Sequence, residues 1–192
     1  MPEPDQTRIQ AFEDSAAFWN WLEQNHASEP ELWLKIYKKG SGQKSINWEE
    51  AVVEALCWGW IDSIKKKFDD EAYLQRFTPR QKSSNWSKRN REHVDRLIAE
   101  GRMQEVGMVH VRAAQADGRW EAAYAPPSEL TVPEDFLAAL DERPQAKAFF
   151  ETLNKQNRYA IAYRLQTAKK PETRQKRFEQ FIAMMEKGEK LY

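Results

Sequence analysis

The chain has 192 residues, 41% hydrophobic and 31% charged, with 30 Lys/Arg balanced by 30 Asp/Glu and a mean hydropathy of −0.86. That length suits one domain, or one domain with a substantial appendage, and can bury a core without staples. No apolar run approaches the ~20 residues of a spanning helix, and a dedicated nucleic-acid binder should be more basic than this neutral chain.

The opening segment, MPEPDQTRIQAFED, is acidic and lacks the basic and apolar regions of a secretory signal, so a cytoplasmic location is expected. A helix is predicted over 15–24, with Phe18, Trp19 and Leu22 at helical spacing and Ser15 as N-cap. ELWLKIYKK (31–39) alternates Leu32, Leu34 and Ile36 against Trp33, Lys35 and Tyr37 and reads as a strand, followed by a Gly40-Ser41-Gly42 loop. Asn47 and Glu50 form a capping-box pair ahead of Trp48, Ala51, Val52, Ala55 and Leu56, and Gly59 can close that helix in a left-handed conformation. Two short strands, 60–68 and 72–78, follow as a hairpin around Asp69-Asp70, and Pro79 ends the second.

Ser84 or Asn85 is then expected to cap a helix reaching about residue 100, with Trp86, Val94, Leu97 and Ile98 sharing a face with Asn90. Gly101 ends it, and 104–116 forms another helix closed by Gly118. The best internal boundary is Ala125-Pro126-Pro127-Ser128, which divides the chain into 1–125 and 126–192. Beyond it the prediction is helical throughout: 133–140, 144–153, 155–168 and 171–187, with Phe178, Phe181, Ile182 and Met185 as the apolar face of the last. The expected fold class is α+β, a small antiparallel sheet packed with helices and followed by an all-helical C-terminal part.

The densest chemistry lies in LCWGWIDSIKKKFDDEAYLQRFTPRQKSSNWSKRN (56–90), where three of eight tryptophans surround Asp62, Arg76, Arg80 and Asn85. Two readings are open: a binding groove, or a polar network that holds the hairpin and helix together. In one hairpin register Asp62 faces Arg76; a two-residue loop instead puts it opposite Phe77. The first is preferred because it gives the carboxylate a partner. Arg76, Arg80, Lys82 and Lys88 gather beside a predicted helix start, which is anion-binding ground, with Trp58, Trp60 and Trp86 as walls. Against this stands simple Arg–Trp surface packing.

Residues 155–177 carry eight Lys/Arg against Glu172 alone, and the turn at Lys169-Lys170 before Arg174 and Arg177 superficially resembles a helix-turn-helix. The turn lacks glycine, and a solvated basic face is the competing reading. Cys57 is the sole cysteine, which excludes an intramolecular disulfide and fits a reducing compartment, and it reads as a small buried hydrophobe. His26, His93 and His110 show no metal-ligand spacing. GxSxG, GxxxxGKS/T and GxGxxG are missing. No metal, cofactor or catalytic set is expected.

The segments LWLKIYKKGSG, EALCWGWID, YLQRFTPR, SNWSKRN, LIAEGRM, ADGRWEAAYAP and NRYAIAYRLQTAKKPETR, in this order, resemble the YdeI/OmpD-associated, or bacteriocin-protection, family. One departure is Ser63, where that pattern leads one to expect a small residue such as glycine. The resemblance implies resistance to bacteriocins or cationic antimicrobial peptides and an association with an outer-membrane porin. It brings no catalytic residue with it. The expected function is a non-enzymatic stress-resistance protein that binds a small anionic ligand or a protein partner. The rivals are an enzyme using Asp62 with Tyr163 or His93, and nucleic-acid binding through Lys169, Lys170, Arg174 and Arg177.

Overall fold

The alternation in 31–39 is realised as strand β2 (Leu32–Tyr37), which lies inside a four-stranded sheet in the computed structural model. The structure describes residues 3–126 and 129–192; Pro127 and Ser128 of the expected boundary lie outside the described residues. The chain separates into two compact units, residues 1–84 with 90–122, and residues 85–89 with 123–192.

In the first unit the sheet order is β1-β2-β4-β3. Strand β1 (Ile9–Gln10) runs parallel to β2, so the sheet is mixed rather than purely antiparallel; two residues are too few to show an alternation in the sequence. Strands β3 (Trp60–Lys67) and β4 (Ala72–Pro79) form the hairpin, and β4 pairs antiparallel with β2. β3 is an outer strand.

The preferred hairpin register is corrected. Asp62 pairs with Phe77, because a bulge between Asp62 and Lys65 sets Ser63 and Ile64 against Arg76 and then resumes with Lys65 opposite Gln75. The expected partner of Asp62 is taken elsewhere: Arg76 reaches Glu31, at the start of the neighbouring strand, at 2.6 Å.

Helix α1 (Ser15–Asn25) is capped by Asp14 rather than Ser15: the Asp14 carboxylate accepts from the Ala17 amide at 2.9 Å, and its negative charge suits the helix start better than a hydroxyl does. Helix α2 (Trp48–Cys57) opens with the expected box. The Glu50 amide donates to Asn47 Oδ1 and the Asn47 amide to Glu50 Oε2, both at 3.0 Å. Every residue from Ala51 to Cys57 is buried, and Gly59 follows at φ +70°. Helix α3 (Lys88–Ala99) starts later than expected, so neither Ser84 nor Asn85 caps it and Trp86 precedes it. Ser87, just ahead of it, instead forms an isolated parallel bridge with Tyr124. The Tyr124 amide donates to the Trp86 carbonyl and the Lys88 amide to the Tyr124 carbonyl, a short bridge that outcompetes helical geometry. Of the predicted apolar face, Val94 and Leu97 are buried while Ile98 is exposed.

Helix α3 ends in a Schellman cap: Gly101 N–H donates to Ile98 O and Arg102 N–H to Leu97 O. Helix α4 (Glu105–Ala116) then crosses the end of α2 at very short range. A Cβ on Gly107 would lie 2.4 Å from the Cys57 carbonyl oxygen and 2.9 Å from that of Leu56, and the Gln104 amide donates to the same Cys57 oxygen at 3.1 Å.

The second unit contains helices α5 (Glu134–Asp141), α6 (Pro144–Thr152), α7 (Lys155–Gln166) and α8 (Pro171–Lys187). Phe136, Phe150, Ile161, Leu165, Phe181 and Met185 are central to its core, and Phe178 closes it edge-on against Phe136 at 5.3 Å. Buried Asn157 is fully used: it donates to Asn154 Oδ1 at 2.9 Å and accepts the amides of Leu191 and Tyr192 at 3.1 Å. Among the described residues no helix is long and apolar enough to cross a membrane.

Gly107→Ala is expected to destabilise the protein by about 1–3 kcal/mol, because backbone oxygens, unlike a side-chain end, cannot move aside cheaply. Urea unfolding checks this; an unchanged midpoint would contradict the close approach.

Candidate functional site

The residues singled out in 56–90 are dispersed in their roles. Trp60 is 1% exposed and its indole N–H is spent on the His26 carbonyl at 3.1 Å. Trp58 is buried against His26 and Trp19, at ring distances of 4.7 and 5.3 Å. Arg76 is held by Glu31, whose other oxygen accepts the Trp33 indole N–H. Arg80 is 4% exposed and its amide donates to the Gly59 carbonyl at 2.8 Å. Asn85 and Trp86 are grouped with the helical unit. Asp62 does border open space. It accepts the Trp48 indole N–H at 3.0 Å and Gln75 Nε2 at 3.5 Å, in a shallow pocket of about 270 Å³ with Ser63, Lys65 and Tyr73.

In the helical unit Lys169 and Lys170 are exposed, whereas Arg174 pairs with Asp135 at 2.8 Å and Arg177 donates to the Arg164 carbonyl at 2.7 Å. Arg174 and Arg177 are thus tied down within the unit. Tyr163 rests against Tyr124 and Tyr159 in the same unit. His93, on α3, is half-buried. His110 is held below its ordinary value by burial and then by the charges of Arg80 and Arg119. Burial pushes the Cys57 thiol up to about 12, so it stays protonated and unreactive at neutral pH. Among the described residues no group of three or more His, Cys, Asp or Glu could hold a metal ion.

The larger opening lies elsewhere in the first unit, where α1, α2 and the α3–α4 turn enclose an open cleft of about 520 Å³. Its floor is Glu54, 5% exposed, with Arg102 Nη2 donating to Glu54 Oε2 at 2.6 Å. The Arg102 guanidinium stands 5.8 Å from the Trp19 ring, Trp58 backs that ring, and Gln104, Asn20 and Ser15 complete the polar rim. The Schellman cap aims the side chain of Arg102, since its own amide is fixed to Leu97. Gln104 Nε2 donates to the Arg102 carbonyl at 2.9 Å, which pins the turn from the other side.

Neither Glu54 nor Arg102 stood out in the sequence, yet a signal was there. Glu54 is the one charge inside the apolar run 51–57, and a helix buried all round must pair such a carboxylate. Burial raises the Glu54 carboxyl above its ordinary value of 4.5, with the Arg102 hydrogen bond and charge pulling the other way. Burial also works against the Arg102 charge, but the bond and charge of Glu54 outweigh it and hold Arg102 above its usual value. The floor is therefore a strong guanidinium beside an under-compensated carboxylate. It can bind charged groups.

Because Glu54 titrates higher in the folded chain than in the unfolded one, the folded state binds the extra proton. Its contribution to stability is complete below 4.5 and is lost as pH rises through the folded value. Arg102→Met takes away the compensating charge and widens that window. The expected loss is about 1–3 kcal/mol at pH 7, below the ~3–5 kcal/mol of an enclosed pair because the Arg102 side chain is 36% exposed. It should be clearly smaller at pH 4. Urea unfolding at the two pH values measures this, and equal losses would contradict a buried ionised Glu54.

Residues 10–110, which contain strands β2 to β4, the cleft and the Asp62 pocket, match the model of a Domain of unknown function (DUF8412). Residues 129–188, spanning α5 to α8, match the model described as Bacteriocin-protection, YdeI or OmpD-Associated. Of the segments that carried the resemblance, NRYAIAYRLQTAKKPETR falls within this second match, five others fall within the first, and ADGRWEAAYAP falls between them. No curated protein and no solved structure gives a match. The chain belongs to the DUF8412 family through its first unit, and its C-terminal helices match the bacteriocin-protection, YdeI or OmpD-associated family.

Proposed function

We propose that this protein is a non-enzymatic, cytoplasmic resistance protein of the bacteriocin-protection type, which acts by holding a small ligand with an anionic group in the cleft over Glu54 and Arg102. The observation that carries the reading is the Arg102 guanidinium. Glu54 fixes it from one side and Trp19 lies beneath it, while it lines open space. A planar, pre-oriented guanidinium loses little freedom on binding and offers donors suited to carboxylate or phosphate. The match at 129–188 supports the protective role. The Arg76 and Arg80 set is not carried forward, because an incoming anion would have to displace Glu31 from one and reach a 4% exposed side chain at the other.

Expression of the chain in a bacteriocin-sensitive bacterium is expected to raise survival under bacteriocin challenge, and Arg102→Met to remove that gain at equal protein level. Survival indistinguishable from an empty control would overturn the protective role. For binding, a panel of small carboxylates and phosphates is expected to raise the melting temperature of the purified protein; a hundredfold excess over Kd corresponds to ~2.7 kcal/mol. A panel without effect would remove the anion reading.

The Asp62 pocket favours one other reading, an enzyme in which Asp62 acts as base beside Lys65 and Tyr73. Asp62→Asn distinguishes the two: under the binding reading it leaves protection intact, and loss of protection with an unchanged melting temperature would favour the enzyme.

A further inference from the structure

The cleft floor has a charge pattern that a simple anion does not satisfy. Glu54 Oε2 takes the Arg102 hydrogen bond, while Glu54 Oε1 receives none from the described residues. Arg102 in turn spends Nη2 on Glu54 and has only a loose contact at 3.9 Å between Nη1 and Glu100 Oε2, so its Nε and Nη1 donors are uncommitted. Two carboxylates thus flank one guanidinium. A bare anion on Arg102 would meet repulsion from Glu54 and Glu100, and a bare cation on Glu54 would meet repulsion from Arg102.

A ligand carrying both charges on neighbouring atoms avoids both penalties. Laid antiparallel on the Glu54–Arg102 pair, its carboxylate meets the spare guanidinium donors and its ammonium meets Glu54 Oε1. The raised Glu54 carboxyl points the same way, since a buried carboxylate with one partner gains from a second cation. Trp19, with Ala16 on the same wall, offers an apolar face to a side chain. The volume of about 520 Å³ falls within the range of small-molecule sites.

We infer that the cleft formed by Trp19, Glu54, Arg102 and Gln104 binds a zwitterion of the α-amino acid class, carboxylate on Arg102, ammonium on Glu54 and side chain against Trp19. This rests on the binding function proposed for the same cleft and names the ligand class.

Calorimetric titration of the full chain with phenylalanine, 3-phenylpropionate and phenethylamine tests it. Phenylalanine is expected to bind, and each truncated analogue to bind at least about tenfold more weakly, as removal of one partner from a charged contact implies. Glu54→Gln should weaken phenylalanine to the level of 3-phenylpropionate without weakening 3-phenylpropionate itself. Trp19→Ala, which leaves both charges of the pair in place, should weaken phenylalanine and serves as the second variant should Glu54→Gln fail to fold. Equal affinity for phenylalanine and 3-phenylpropionate would overturn the zwitterion while leaving the anion-binding function standing. Binding of neither would overturn both.

Discussion

The approach of α4 to the last carbonyls of α2 is the constraint on which the first unit depends. A backbone oxygen sits where a side chain on residue 107 would begin, so the crossing exists only with glycine there. The crossing brings Gln104 onto the Cys57 carbonyl and sets the preceding turn over the middle of α2. From that placement Arg102 reaches Glu54, and the pair becomes the floor of the cleft. A helix end has unsatisfied carbonyls by construction; here one of them is satisfied by the amide that positions the turn carrying Arg102.

The Glu54–Arg102 pair is costly as a structural element. Burying a carboxylate is rarely repaid by one cation, and apolar residues of similar size would stabilise α2 at least as well. Its place in the otherwise apolar stretch 51–57, facing open space, is the arrangement that the proposed binding role requires. Trp58 and Trp60 show the opposite: rich in chemical potential, they are consumed by core packing and a carbonyl bond.

What was legible in the sequence was whatever depends on neighbours along the chain. The Asn47–Glu50 box, the left-handed Gly59, the alternation of β2 and the prolines opening α6 and α8 are local, and each is found as the residues imply. The errors arise where distant residues decide. The register of Asp62 turned on a bulge that period-two counting cannot foresee. The start of α3 turned on Tyr124, more than thirty residues away, drawing Ser87 into a bridge. The cleft needed Arg102 to meet Glu54 across 48 positions, and neither residue belongs to the conspicuous Trp–Arg cluster. Asp62 apart, conspicuous chemistry and accessible chemistry were different sets.

The hairpin's outer strand has a consequence for how chains meet one another. β3 exposes the free rim of the sheet, the place where a second chain could add a strand and begin a stack. The bulge after Asp62 breaks the even spacing that such an addition requires, and three consecutive lysines follow it. Each is anchored: Lys65 lies 3.9 Å from the Tyr73 ring centre, Lys66 meets Glu3 at 2.8 Å and Lys67 meets Asp70 at 2.8 Å. An arriving copy would have to set its own lysine run against this one on a kinked rim. The kink and the repelling cations together disfavour the addition of a further strand at β3.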